Sequence, residues 1–96
     1  MSRVTLTPKA KADLDDIWYF TLARWGMDQA EKYIRDLWET MKNQVSGPGN
    51  STDIDDVRPG YKKVRAGSHV IFFKVAPEGI DVVRILHKKM DFNRHL

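Results

Sequence analysis

The sequence predicts an α+β fold of two layers: a short N-terminal strand and an antiparallel helical hairpin packed on a mainly antiparallel β-sheet. The element order is β-α-α-β-β-β, with a short C-terminal turn or helix. Three observations predict it. Residues 8–45 carry two apolar stripes at helical spacing, parted by a glycine. Residues 61–87 carry three strand-forming runs parted by turn signals. A short alternating run, Arg3-Val4-Thr5-Leu6, precedes both. Helices followed by a block of strands give segregated layers, not the interleaved layers of a parallel α/β sheet.

Thr7-Pro8 is a helix start: the threonine hydroxyl caps free N–H groups, and proline at the first helical position forfeits no hydrogen bond. Ala10, Leu14, Ile17, Trp18, Thr21 and Trp25 then fall on one helical face. Gly26 is expected to stop this helix in a left-handed conformation, and Asp28 to cap the next after a two-residue link. The second stripe runs Ala30, Tyr33, Ile34, Leu37, Trp38, Met41, Val45, ended by Gly47-Pro48-Gly49. Trp18, Trp25 and Trp38 dominate the hairpin's apolar side and are expected in the core, each contributing about 2–3 kcal/mol if fully buried. Trp25, at a helix end, is the one expected to be partly exposed.

Residues 46–60 (SGPGNSTDIDDVRPG) read as a loop of turn-formers. Strands follow at Tyr61–Ala66, His69–Val75 and Ile80–His87, with turns at Gly67-Ser68 and Ala76-Pro77-Glu78-Gly79. The run HVIFFKV is apolar on both faces, which predicts the central strand. Left uncovered, it would also template aggregation. Asp91 is placed to cap a turn in the tail.

The chain has 96 residues, and residues 1–96 are expected to form one domain with one modest core. No run of 18 apolar residues is present, so no membrane partner is expected, and the N-terminus lacks the apolar region of a secretion signal. Cysteine is absent, which excludes disulfides, thiolate zinc sites and a cysteine nucleophile and fits action in the cytoplasm. Charge is uneven. Residues 1–60 carry 8 Lys/Arg and 10 Asp/Glu, a balance of −2; residues 61–96 carry 8 and 3, a balance of +5. The second half is therefore the expected docking surface for an acidic partner.

Catalytic and metal signatures are sparse. No two of His69, His87 and His95 have metal-ligand spacing. Asp53, Asp55 and Asp56 resemble the opening of a calcium loop, but Arg58 and Val64 occupy its sixth and twelfth positions. No phosphate-binding glycine loop occurs, and no cofactor is expected. Ser68 and His69 are sequence neighbours at a strand start, where side chains point to opposite faces and a relay is not expected. General acid–base chemistry has one candidate group: His87, Lys88, Lys89 and His95. A histidine among cations stays neutral and usable as a base, and lysines stabilise a phosphodiester's developing charge. Direct single-strand binding through Tyr61 and Phe92 lacks any recognised motif.

The segments LTPKAKADLDDIWYFTLARWG (Leu6–Gly26), DQAEKYIRDLWETM (Asp28–Met41), HVIFFKV and VVRILHKKMDFNRHL (Val82–Leu96) together resemble the ParE toxins, a branch of the RelE/ParE superfamily. The most specific pieces are Trp25, Gly26, Gln29, Ala30 and Tyr33, and the ending Arg84–Asp91. The resemblance spans essentially the whole chain. It implies a compact α+β toxin, a ParD-like antitoxin with a flexible segment that folds on it, and DNA gyrase as the target, poisoned by binding without a chemical step. DNA would be contacted only through antitoxin or gyrase. On this reading Trp18, Trp25 and Tyr33 are expected apolar anchors for the antitoxin, and Arg58, Lys62 and Arg84 its electrostatic partners. His87, Lys88, Lys89, Asp91 and Arg94 are the expected target-binding surface. Two alternatives stay open: a ribosome-dependent messenger-RNA endonuclease of the RelE type, using His87, Lys88, Lys89 and His95, and an inactive antitoxin-binding module. Two features depart from the ParE pattern: Phe73, where many relatives carry tyrosine, and an unusually acidic loop, GNSTDIDDV.

Overall fold

The computed structural model describes residues 3–46 and 50–96. Strand β1 (Arg3–Leu6) leads into helices α1 (Pro8–Trp25) and α2 (Met27–Ser46). Strands β2 (Thr52–Asp53), β3 (Tyr61–Ala66), β4 (His69–Ala76) and β5 (Gly79–His87) follow, then a 3-10 turn at Phe92–Arg94. Among the described residues the strands form one sheet in the order β1-β5-β4-β3-β2, with β1 parallel to β5 and every other pairing antiparallel. The predicted two-layer α+β class and element order hold. The loop at 46–60 adds one short strand: Thr52 and Asp53 pair with Lys63 and Lys62.

Local signals place the helices as expected, with differences at the hairpin. The Thr7 hydroxyl accepts the Ala10 N–H at 3.1 Å and donates to the Val83 carbonyl at 2.8 Å, so one residue caps α1 and ties it to β5. Gly26 alone joins the helices, with φ 90° and ψ 175°. That conformation favours glycine, but its ψ is extended and not left-handed helical. Asp28 is therefore not a cap; it lies in the first turn of α2, where its charge suits the helix N-terminus. The glycine–proline stop at 47–49 lies outside the described residues.

The core lies between the hairpin and the sheet. Ala10, Ile17, Leu37 and Met41 pack on Val64, Ile71, Phe73, Ile80, Val82 and Ile85. The tryptophans do not dominate it. Trp18 and Trp38 are half-buried and Trp25 is 63% exposed, while Leu37, Met41, Ile71 and Phe73 are large buried side chains there. Trp38 packs against this core from outside it, while branched aliphatic side chains and Phe73 fill the interlayer space.

The opposite sheet face is also covered. Ile54, Phe72 and Leu86 form a second buried cluster, overlaid by Val57, Phe92 and Leu96. HVIFFKV is thus central, paired on both edges and buried at Ile71, Phe72 and Phe73, so the folded chain does not offer it as an aggregation template.

Past Leu6, β1 no longer covers the edge of β5, and polar side chains take over. Asp13 accepts the Ile85 N–H at 3.0 Å. The same carboxylate receives Arg84 Nε at 2.7 Å and a second guanidinium N–H at 2.9 Å. Both side chains are mostly buried, 17% and 14% exposed, and the bidentate geometry offsets the cost of desolvating them.

Candidate functional site

Two features of the fold carry the candidate functional side chains: a cleft at the hairpin end and a basic tail on the far sheet face.

The cleft holds about 380 Å³. Its aromatic wall comes from α1, with Phe20 and Trp25 both largely exposed. Its polar floor comes from Tyr33 of α2, Ser68 of the β3–β4 turn, and His69 and His87, which face each other across β4 and β5. That facing depends on a β-bulge. Ala76 pairs with Gly79, so an unbroken hairpin would set His69 opposite Leu86. The register shift at Phe72/Phe73, with Val83 as the extra residue, moves the pairing by one and brings His69 to His87.

Tyr33 organises the floor. Its hydroxyl accepts the Ser68 N–H at 2.9 Å and lies 2.6 Å from His69 Nδ1. Gly67, at φ 58°, lets the turn sit against the Tyr33 ring, because a Cβ there would come within 2.8 Å of it. The His69 ring stands edge-on to both Tyr33 and His87, with centroids 5.6 and 5.5 Å away. Burial, reinforced by neighbouring His87 and opposed by Asp13, lowers the His69 pKa to about 4. His87 Nδ1 accepts the Lys89 N–H at 3.2 Å.

The tail crosses the outer sheet face and is tied down along its length. Asp91 caps the 3-10 turn by accepting the Asn93 N–H. Phe92 stacks on Phe72 at 5.2 Å. Arg84 donates to the His95 carbonyl at 3.2 Å, and Arg58 donates to the Leu96 main-chain oxygen at 2.6 Å. Lys88, Lys89, Met90 and Arg94 stay exposed. The cavity that Lys88, Met90 and Phe92 line against the sheet holds about 90 Å³, well below the roughly 300–1,000 Å³ of sites that bury small ligands, and another of about 430 Å³ lies between Tyr61, Arg84, His95 and Leu96.

The structure therefore sorts the residues singled out in the sequence. Trp25, Tyr33 and His87 converge on the cleft. Trp18 lies half-buried on α1, away from the cleft lining. Lys62 pairs with Asp53, and Arg58 holds the chain end. Arg84 is turned inward onto Asp13, which raises its pKa mainly through their hydrogen bond. Lys88, Lys89 and Arg94 share the tail surface; Asp91 shapes it. The four residues of the nuclease alternative do not share a cavity: His87 lines the cleft, while His95 lines another beside Tyr61 and Leu96. Sequence reasoning missed Phe20, Asp13 and the participation of His69. Phe20 and Asp13 stand outside the apolar stripe of α1, and the histidine pairing required the bulge.

A helical hairpin on a mostly antiparallel sheet, closed by a short C-terminal turn, is the architecture of RelE/ParE-like toxins. A chain of the YoeB–YefM complex from Staphylococcus aureus shares this fold, with a TM-score of 0.59 at 16% identity over 91% of this chain and 97% of that one. A chain from the chromosomal ParDE toxin–antitoxin system of P. aeruginosa is more alike: TM-score 0.69, 28% identity, 91% of this chain and 96% of that one. The family of the ParE toxin of the type II toxin–antitoxin system parDE matches residues 4–92, and the chain belongs to it. Toxin ParE1 of Mycobacterium tuberculosis is 48% identical over 96 residues, covering 99% of this chain and 98% of its own length. Toxin ParE1 of Caulobacter vibrioides is 38% identical over 100% and 99%.

Proposed function

We propose that this protein is held inactive by a ParD-like antitoxin and, when released, poisons DNA gyrase by binding it, with no chemical step of its own. One observation carries the binding mode. Lys88, Lys89 and Arg94 stand exposed on a tail fixed by Phe92, Arg58 and Arg84. Fixed cations on an outward surface favour docking, because little ordering entropy remains to be lost on binding. Gyrase is the target that ParE membership suggests. The ParD-like partner is supported by the fold shared with the P. aeruginosa ParDE chain. Trp25 and Tyr33, at the open cleft, are the antitoxin anchors we favour, with Trp18 beyond them. Arg58 and Lys62 make exposed internal contacts that an acidic segment can exchange for its own. Arg84 acts from beneath, positioning the tail.

The test incubates the purified protein with gyrase and supercoiled plasmid and counts trapped, cleaved DNA. Cleaved DNA should accumulate and should fall when a ParD-like antitoxin is added. Active gyrase with no cleaved DNA, together with cut messenger RNA on ribosomes, would replace this reading with the nuclease one.

A further inference from the structure

The cleft presents two imidazoles, His69 and His87. The Tyr33 oxygen accepts the Ser68 N–H and lies 2.6 Å from His69 Nδ1; in the tautomer in which Tyr33 donates to that nitrogen, the His69 ring proton lies on Nε2. The Lys89 N–H donates to His87 Nδ1, which fixes the same tautomer there. In that arrangement each ring turns an Nε2–H to the cleft, and no hydrogen bond from either Nε2 to the protein is found among the described residues. Burial of His69 favours its neutral state.

The surrounding charge selects among acceptors. Lys32, on the rim, pairs with Asp36 at 3.2 Å, so the two formal charges lining the cleft balance, and the Arg24 guanidinium lies 5.8 Å from the Phe20 ring beside it. A single carboxylate can take both Nε2–H groups in charge-assisted bonds, stronger than bonds to a neutral amide. Beside it, the exposed Phe20 and Trp25 offer apolar contact. A cleft of about 380 Å³ accommodates one or two side chains of an extended peptide, not a folded surface.

We propose that this cleft receives an aspartate or glutamate side chain of a partner peptide, on His69 and His87, with an adjoining apolar residue against Phe20 and Trp25. The proposal rests on the antitoxin reading and supplies its local chemistry: the antitoxin's folding segment presents an acidic residue beside an apolar one.

The test is an NMR titration of the isotope-labelled full chain at neutral pH, following the ring Cε1–H signals of His69 and His87. The probes are N-acetyl-Leu-Glu-Leu-amide, the same peptide with glutamine in place of glutamate, and adenosine monophosphate. The glutamyl peptide should shift both histidines saturably, and the glutamine peptide should bind about tenfold more weakly. Phe20→Ala, at an exposed position that leaves the fold intact, should weaken the glutamyl peptide about threefold. Equal affinity for the two peptides, tighter binding of the nucleotide, or no shift at either histidine would overturn the proposal. A failed titration alongside neutralisation by a ParD-like antitoxin removes the carboxylate site and leaves the antitoxin reading standing. Peptide binding without such neutralisation does the reverse.

Discussion

The two faces of the sheet are covered in different ways. The inner face lies under helices of 18 and 20 residues, whose apolar stripes interlock with Ile71, Phe73, Val82 and Ile85. On the outer face, the buried cluster among the described residues is Phe72 and Leu86 of the sheet with Ile54 of the loop, covered by that loop and the tail. There, directed contacts substitute for area: the Asp91 cap and the arginine bonds to His95 and Leu96. Burial that is non-directional holds a core, while specific bonds hold a thin strap whose other side stays free for charge. The two proposed binding surfaces follow the same division, with the cleft at the end of the helical layer and the basic surface on the strap.

The contrast can be broken most severely at Asp13, which joins the two layers. Asp13→Ala strands a largely buried Arg84 and an Ile85 N–H, and should cost about 3–5 kcal/mol. The thermal midpoint should then fall by more than about 10 °C in a calorimetric scan. A smaller effect is expected on the outer face. Phe92→Ala should cost about 2 kcal/mol, less than a fully buried phenylalanine, and should raise hydrogen exchange in the tail while α1 and α2 stay protected. Gly67→Ala should cost about 1–2 kcal/mol from its positive φ and should push Tyr33 off His69, visible as a changed His69 ring shift.

The mildest lever is pH. The folded His69 pKa lies near 4, below the ordinary 6.5, so between these values the unfolded chain binds the extra proton. Its contribution is complete above about 6.5 and is lost as pH falls toward 4. Thermal midpoints should decline across that window, and less so in a His69→Asn variant.

Much of this was legible in the sequence. The Thr7-Pro8 start, both helical stripes, the β3–β5 strands and the Asp91 turn each depend on neighbours within a few residues. The central position of HVIFFKV followed from apolarity on both faces. What stayed hidden depends on distant contacts. The bulge beside Val83 carries no local signal, yet it sets which residue His69 faces. Asp13 reads as an ordinary exposed helix acid until β5 is placed beside it. Arg84 reads as a surface cation for the same reason. The tryptophans misled because bulk suggests burial, whereas the space between helix and sheet takes narrower groups.

In the function proposed above, the tail surface acts by binding gyrase. The most direct measurement compares trapped gyrase–DNA cleavage for Lys88→Glu, Lys89→Glu and Arg94→Glu, singly and combined, and for His87→Ala, with circular dichroism confirming the fold of each. A binding surface predicts stepwise loss, partial for each single charge reversal and near complete for the three together. Full cleavage by the triple variant, or complete loss from His87→Ala with the charge reversals harmless, would contradict it.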